Sequence, residues 1–181
     1  QRRDDKIFDE TAVVGVQEFA SRLQYGMVPN FARWADFTSG SEVPPEDRDR
    51  IDNELDAVTE YVFEIIQNSN FGQEVHESFM DLAVGTGVMS IEEGDALNPV
   101  VFSAIPLPQV VLDTGPDDCI DHVFRERKKV PFEHLSLLYP KSTFDPKVTA
   151  LMSTDDTTDV LELVCRDYSK RNEEAYLHYA I

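Results

Sequence analysis

The stretch KIFDETAVVGVQEFASRLQYGMVPNFARWADF, Lys6 to Phe37, decides how the rest of the chain is read. From Asp9 onward the apolar residues Val13, Val16, Phe19, Ala20, Leu23 and Met27 recur every three or four positions, the spacing that gathers side chains on one stripe of a helix. The sequence therefore predicts an amphipathic helix with that stripe buried and with Asp9 available to cap its first turn. Pro29 ends it, since proline has no N–H to donate and its ring clashes with the preceding turn. Beyond the break come Phe31, Arg33, Trp34 and Phe37, with Trp34 the only tryptophan in the chain. It reads equally well as a plug in the core or as an anchor in a subunit contact, where Trp and Arg are favoured.

Working outward, a loop over Thr38–Val43 leads to Pro44-Pro45-Glu46-Asp47, with proline and acids where a helix N-terminus favours them. The helix that follows carries the stripe Ile51, Leu55, Val58, Val62 and Ile65 and stops near Asn70-Phe71-Gly72. A third, shorter helix holds Val75, Phe79, Leu82 and Ala83, with Gly85 placed just beyond its C-terminus. From Val88 the period falls to two, and Pro99, Pro106, Pro108 and Pro116 mark breaks between strands. Strands are expected near 87–93, 100–105, 109–113 and 119–127. Short helices follow at Pro131–Tyr139 and Phe144–Met152, and strands at Val160–Asp167 and Tyr176–Ile181 are joined by a turn over Ser169–Glu174. The order predicts one α+β domain, mainly helical over 1–86. Over 87–181 it predicts a small, mostly antiparallel sheet with short additional helices.

Composition narrows the function. The apolar fraction of 41% and eleven Phe place the chain among folded proteins, and the net charge of -19 makes it strongly acidic. Tight nucleic-acid binding needs a basic excess, which 16 basic against 35 acidic residues do not supply. The one positive cluster, Arg125, Arg127, Lys128 and Lys129, reads as a solvated strand end or a subunit contact. No window approaches the roughly 18 consecutive apolar residues of a membrane helix, and Gln1–Lys6 is followed by no signal-peptide core. Synthesis in the cytoplasm is expected. Cys119 and Cys165 lack metal-ligand spacing and are expected as reduced core residues.

Four motifs invite a chemical reading. Val110-Val111-Leu112-Asp113-Thr114-Gly115 has the pattern around the catalytic aspartate of a retroviral-type aspartic protease lobe, where two carboxylates share a proton. That lobe also needs a downstream apolar-apolar-Gly segment, and Gly115 is the last glycine, so the stretch is read as a turn after a strand with Gly115 supplying a positive φ. Gly85-Thr86-Gly87 follows a helix and precedes a strand, the reverse of a phosphate loop, and is read as a tight helix-to-strand connection. Asp117-Asp118 and Asp155, Asp156 and Asp159 lack the alternation and turn glycine of a calcium loop. His76, His122, His134 and His178 are scattered. No catalytic constellation emerges, so the expectation is a protein that is not an enzyme, with no cofactor and no metal.

The opening stretch resembles that of the portal proteins, the head-to-tail connectors of short-tailed phages. The residues that carry the resemblance are Ile7, Phe8, Asp9, Thr11 and Ala12, then Ala20, Ser21 and Leu23, then Pro29, Arg33 and Trp34. A second match is FMDLAVGTGVMSIEEG, Phe79–Gly94, a helix ending in a Gly85-Thr86-Gly87 step into a strand. A looser likeness continues through Phe102–Arg127. Portal chains of this type also carry a stem helix and a clip, and this chain begins at Gln1 and ends in the strand-like Tyr176–Ile181, so it is read as a wing segment of a larger portal chain. The resemblance implies a structural subunit of a ring, usually a dodecamer, at the capsid vertex of the virion. Its implied partners are copies of itself, capsid and scaffolding proteins, the terminase packaging motor, tail adaptors and the double-stranded DNA passing through the channel. Within it, Asp9, Thr11, Ala20, Leu23, Arg33, Trp34, Gly85, Thr86 and Gly87 are signature positions. The competing readings are the protease lobe around Asp113 and a generic acidic protein-interaction domain.

Overall fold

The computed structural model describes residues 10–140, 142–169 and 176–180, and the chain divides into two compact units, 1–107 and 108–181. Asp9 and most of the turn expected at Ser169–Glu174 lie outside the described residues. The fold is α+β, as the order of patterns predicts.

The first unit begins with α1, Thr11–Met27, and Val28 N–H closes its last turn on Gln24 C=O at 2.9 Å, just before Pro29. Its cap position falls on Glu10, which makes no side-chain cap bond. The expected buried stripe is corrected. Ala20 is buried and Val16 and Leu23 are half-buried, but Val13, Phe19 and Met27 are exposed. The physical reason is that α1 rests on one helix, α3 (Phe71–Leu82), and a single neighbour covers only a narrow strip. Gln24, one turn after Ala20, ties the pair: its Nε2–H donates to Gly72 C=O at 2.7 Å and its Oε1 lies 3.0 Å from His76 Nδ1.

Between these helices runs α2, Pro45–Asn68, started by Pro45 and the first-turn acids Glu46 and Asp47. Its buried residues are Thr59 and Phe63, while Val58, expected inside, is 48% exposed. The inward face is rotated because an extended segment lies along α2 and needs acceptors for its backbone. Phe37 N–H donates to Thr59 Oγ1 at 3.1 Å and Ser39 N–H to Asp52 Oδ1 at 2.7 Å. Those bonds from Ser39 hold the Asp52 carboxyl below its ordinary pKa.

The antiparallel hairpin of β1 (Val88–Glu93) and β2 (Val100–Ile105) completes the unit, in register from Val88 with Ile105 to Glu93 with Val100. Its loop is held by Asp95, whose Oδ1 accepts from Leu97 and Asn98 N–H. The other edge of β2 meets α3 instead of a strand. The Asn70 amide donates to Phe102 C=O at 2.6 Å and accepts from Phe102 N–H at 2.9 Å, Glu74 Oε2 accepts from Ala104 N–H at 2.7 Å, and Asp81 Oδ2 accepts from Leu107 N–H at 3.0 Å.

The second unit is a four-stranded antiparallel meander, β3 (Val110–Thr114), β4 (Ile120–Pro131), β5 (Thr157–Arg166) and β6 (Tyr176–Ala180) in that spatial order. The connection from β4 to β5 forms a 3-10 turn at Phe132–His134, α4 at Leu135–Leu138 and α5 at Pro146–Leu151. Val130, Phe132, Leu135, Tyr139 and Val160 make its core, with Phe144, Val148 and Met152 packed against it. Asp145 caps α5 by accepting from Lys147 N–H at 2.8 Å.

Buried Glu162 sits at the centre of the sheet. Its Oε1 accepts from Arg127 Nε at 2.8 Å and from Tyr139 OH at 2.5 Å, and Arg125 Nη1 stands 3.7 Å from Oε2. A buried carboxylate is tolerable only with such partners. Burial, then the bond to Glu162, push the Tyr139 hydroxyl well above its usual pKa. The positive cluster is thus divided: its two arginines turn toward Glu162 while Lys128 and Lys129 stay exposed.

Two further expectations are corrected. The turn after β3 exists, with Asp118 N–H bonded to Gly115 C=O at 3.1 Å, but the left-handed residue is Asp118 at φ 55°, and no described glycine has positive φ. Gly115 is needed for space, since an added Cβ there would strike the Asp121 carboxylate and the Tyr168 hydroxyl. Cys119 is exposed because it ends that turn, while Cys165 on β5 is half-buried; both are free thiols.

Replacing Asn70 by Ala leaves the N–H and C=O of buried Phe102 without their side-chain partner. Urea unfolding followed by circular dichroism should show a loss of about 1–3 kcal/mol.

Candidate functional site

The signature positions of the sequence all fall in the first unit. Ala20 is fully buried on α1, where a methyl group takes little room between packed helices. Leu23 is half-buried on the same side, and Thr11 opens the helix on an exposed face. Asp9 lies outside the described residues.

Trp34 packs against neighbouring rings while 38% of it stays exposed. Its ring stacks on Phe71 with centroids 5.9 Å apart and meets Phe63 edge-on at 5.2 Å, and Phe71 in turn meets Phe102 edge-on at 5.0 Å. The chain of four rings links the segment after α1 to α2, α3 and β2. Such geometries add about 0.5–1.5 kcal/mol per pair beyond burial alone. Arg33, beside it, ion-pairs with Asp56 on α2 and with Asp36; these bonds, Asp56 first, raise the pKa of its guanidinium. Arg33 and Trp34 together fasten the post-helix segment to α2.

The Gly85-Thr86-Gly87 step is the second gathering point. Gly85 N–H bonds to Asp81 C=O at 2.9 Å, so the helix closes by an ordinary turn rather than through a left-handed glycine. The two glycines differ in how much they matter. A Cβ at Gly87 would stand 2.5 Å from the Ser78 carbonyl oxygen, a backbone atom of α3, whereas one at Gly85 would meet only the tip of Leu107 at 2.8 Å. Thr86 between them is exposed.

Sequence reasoning missed Asn70, Glu74 and Asp81. Their signal was present: positions four and eleven residues on from Asn70 return to nearly the same face of a helix at about 3.6 residues per turn. Polar residues on one face are ordinarily read as solvated, and here that face meets a strand edge. It also missed the outward face of α1, where Val14 and Tyr25 are 55% and 77% exposed. On that face Gly15 and Gly26 have nothing within 4 Å of an added Cβ. Glycine inside a helix costs roughly 0.5–1 kcal/mol relative to alanine, and nothing in the unit calls for it here.

The chemical motifs stay apart. Asp113 is exposed on β3, its Oδ1 taken by the next residue's N–H at 2.9 Å, and the chain then turns directly into antiparallel β4. Among the described residues no group of three or more His, Cys, Asp or Glu is arranged to hold a metal ion. Among the described residues no helix is long and apolar enough to cross a membrane. Asp121, buried, is held by His122 Nδ1 at 2.5 Å and by Tyr168 OH, an interior polar group satisfied by its neighbours.

Compared with known families, residues 1–180 match the family described as bacteriophage head to tail connecting protein. Among curated proteins none matches.

The unequal glycines give a direct check. Gly87→Ala should lower stability by about 1–3 kcal/mol, since a backbone carbonyl cannot give way cheaply, while Gly85→Ala should cost clearly less because the Leu107 side chain can turn aside. Thermal melts of the two variants side by side decide it; equal losses would remove the backbone clash as the cause.

Proposed function

We propose, because the chain belongs to the bacteriophage head-to-tail connecting family over residues 1–180, that it is a wing-region subunit of the portal ring. As a member of that family it is a structural component of the virion that connects head to tail. The ring, usually a dodecamer, surrounds the channel through which double-stranded DNA is packaged and later ejected. It seats against capsid and scaffolding proteins, docks the terminase motor and then holds the tail adaptors, first in the host cytoplasm during assembly and finally at the portal vertex. The two described units are parts of one larger portal chain in this reading.

The family match along nearly the whole chain is the observation that carries the proposal. The physical character of the molecule supports it. Ala20, Arg33 and Trp34 are engaged in packing and ion pairs and Gly87 in a close backbone approach, a character that suits geometric work. A ring is closed by head-to-tail contacts between unlike patches, which leaves apolar surface exposed on an isolated copy. The net charge of -19 suits a conduit, since a wall of the same sign as the phosphate backbone lets DNA slide instead of holding it.

Negative-stain electron microscopy of the full-length chain, classified by rotational symmetry, tests this reading. Rings with an axial hole wide enough for duplex DNA are expected. Compact particles with no hole, at every concentration tried, would contradict it.

A further inference from the structure

We infer that the outward face of α1 is a contact through which a second copy of this chain docks; the inference rests on the ring reading above. Val14 and Gly15 recur as Tyr25 and Gly26 about three helical turns later, so both pairs share one side of the helix, with Phe19 beside them. Val14, Phe19 and Tyr25 are all exposed there. Around Gly15 the surface is a shallow groove lined by Glu10, Thr11, Val14, Gly15 and Glu18. Each glycine leaves the helix backbone open at its own turn, so that another backbone can come close there, with the exposed Glu18–Arg22 pair standing between the two turns.

Charge identifies the occupant. Each copy carries a net charge of -19, so two copies repel unless they meet where charge is lacking. The whole of α1 holds one acid and one base, Glu18 and Arg22, and these pair with each other one turn apart. By contrast α2 carries Glu46, Asp47, Asp49, Asp52, Glu54, Asp56, Glu60 and Glu64 against two arginines. A basic partner would be drawn to a surface like that of α2. With Glu10 and Glu18 against Arg22, the outward face of α1 carries far less charge than α2 and is the surface on which a second acidic copy meets least repulsion.

The test uses the full-length chain and reads assembly by native mass spectrometry across a concentration series, beside a thermal melt of the unassembled chain. The double variant Gly15→Ala/Gly26→Ala should raise the melting temperature, because alanine favours the helix and meets nothing in the monomer. It should nevertheless raise the concentration needed for half-assembly by about tenfold or more, since the added methyl groups hold the partner off. Val14→Glu/Tyr25→Glu should block assembly with the melt little changed, while Tyr61→Glu, on an exposed position of α2, should assemble as the parent does.

Normal assembly of both double variants overturns the inference and leaves the ring reading standing. A lowered melt with normal assembly overturns it too, by assigning the face to another segment of the same chain, and normal assembly with lost incorporation into capsids assigns it to a capsid protein instead. A parent chain that never assembles overturns the ring reading and this inference with it.

Discussion

The first unit depends on a helix that acts as a strand's hydrogen-bonding neighbour. A two-stranded hairpin is marginal alone, and its unpaired edge is an open template for other chains. Here Asn70, Glu74 and Asp81 reach from α3 and its N-terminal flank to the N–H groups of Phe102, Ala104 and Leu107. Asn70 gives and takes with Phe102 as a residue of a neighbouring strand would. Once this fixes α3 against β2, the stack from Phe102 through Phe71 to Trp34 and Phe63 is placed, and with it the segment lying on α2. Gly87 follows from the same constraint, since the chain leaving α3 must pass close to the Ser78 carbonyl to enter β1.

The second unit solves a different problem with the same means. Its interior carboxylate, Glu162, is neutralised and hydrogen-bonded by Arg127 and Tyr139, with Arg125 close by. Truncating one member of such a set leaves a buried charge uncompensated, so losing a partner costs more than the intact set contributes to stability. The lysines that follow the arginines fall at a bulge: the register shifts between Arg127 and Val130, Lys129 takes φ 55°, and its N–H is received by Asp159 at 2.8 Å. That irregularity separates two arginines facing the interior from two lysines facing solvent.

Much of the fold was legible because its punctuation is chemical. Pro29 and Pro45 bound helices, Pro99 and the Pro106–Pro108 pair bound strands, and those constraints are local to the residue and need no tertiary knowledge. What was not legible depends on neighbours. The apolar spacing of α1 announces a helix but not how many elements will cover it, so Val13, Phe19 and Met27 were assigned to a core that a single contacting helix does not provide. Gly115 was read through its freedom of φ when the pressure on it is spatial, from Asp121 and Tyr168, which come later in the chain. Asn70, Glu74 and Asp81 were hidden because a polar residue facing a strand edge and one facing water have the same pattern. The resemblance carried by Ala20, Trp34 and the glycine step pointed to the right family.

The strand order of the second unit has a consequence for how the molecule comes into being. In β3-β4-β5-β6 every strand pairs with its neighbour in sequence, so no pairing waits for a segment made much earlier or much later. Sheets built from nearby pairings have low contact order and close their loops at small entropic expense, which places them among the faster-forming β topologies. A subunit whose sheet can zip together in the order of synthesis spends little time with its strand edges open.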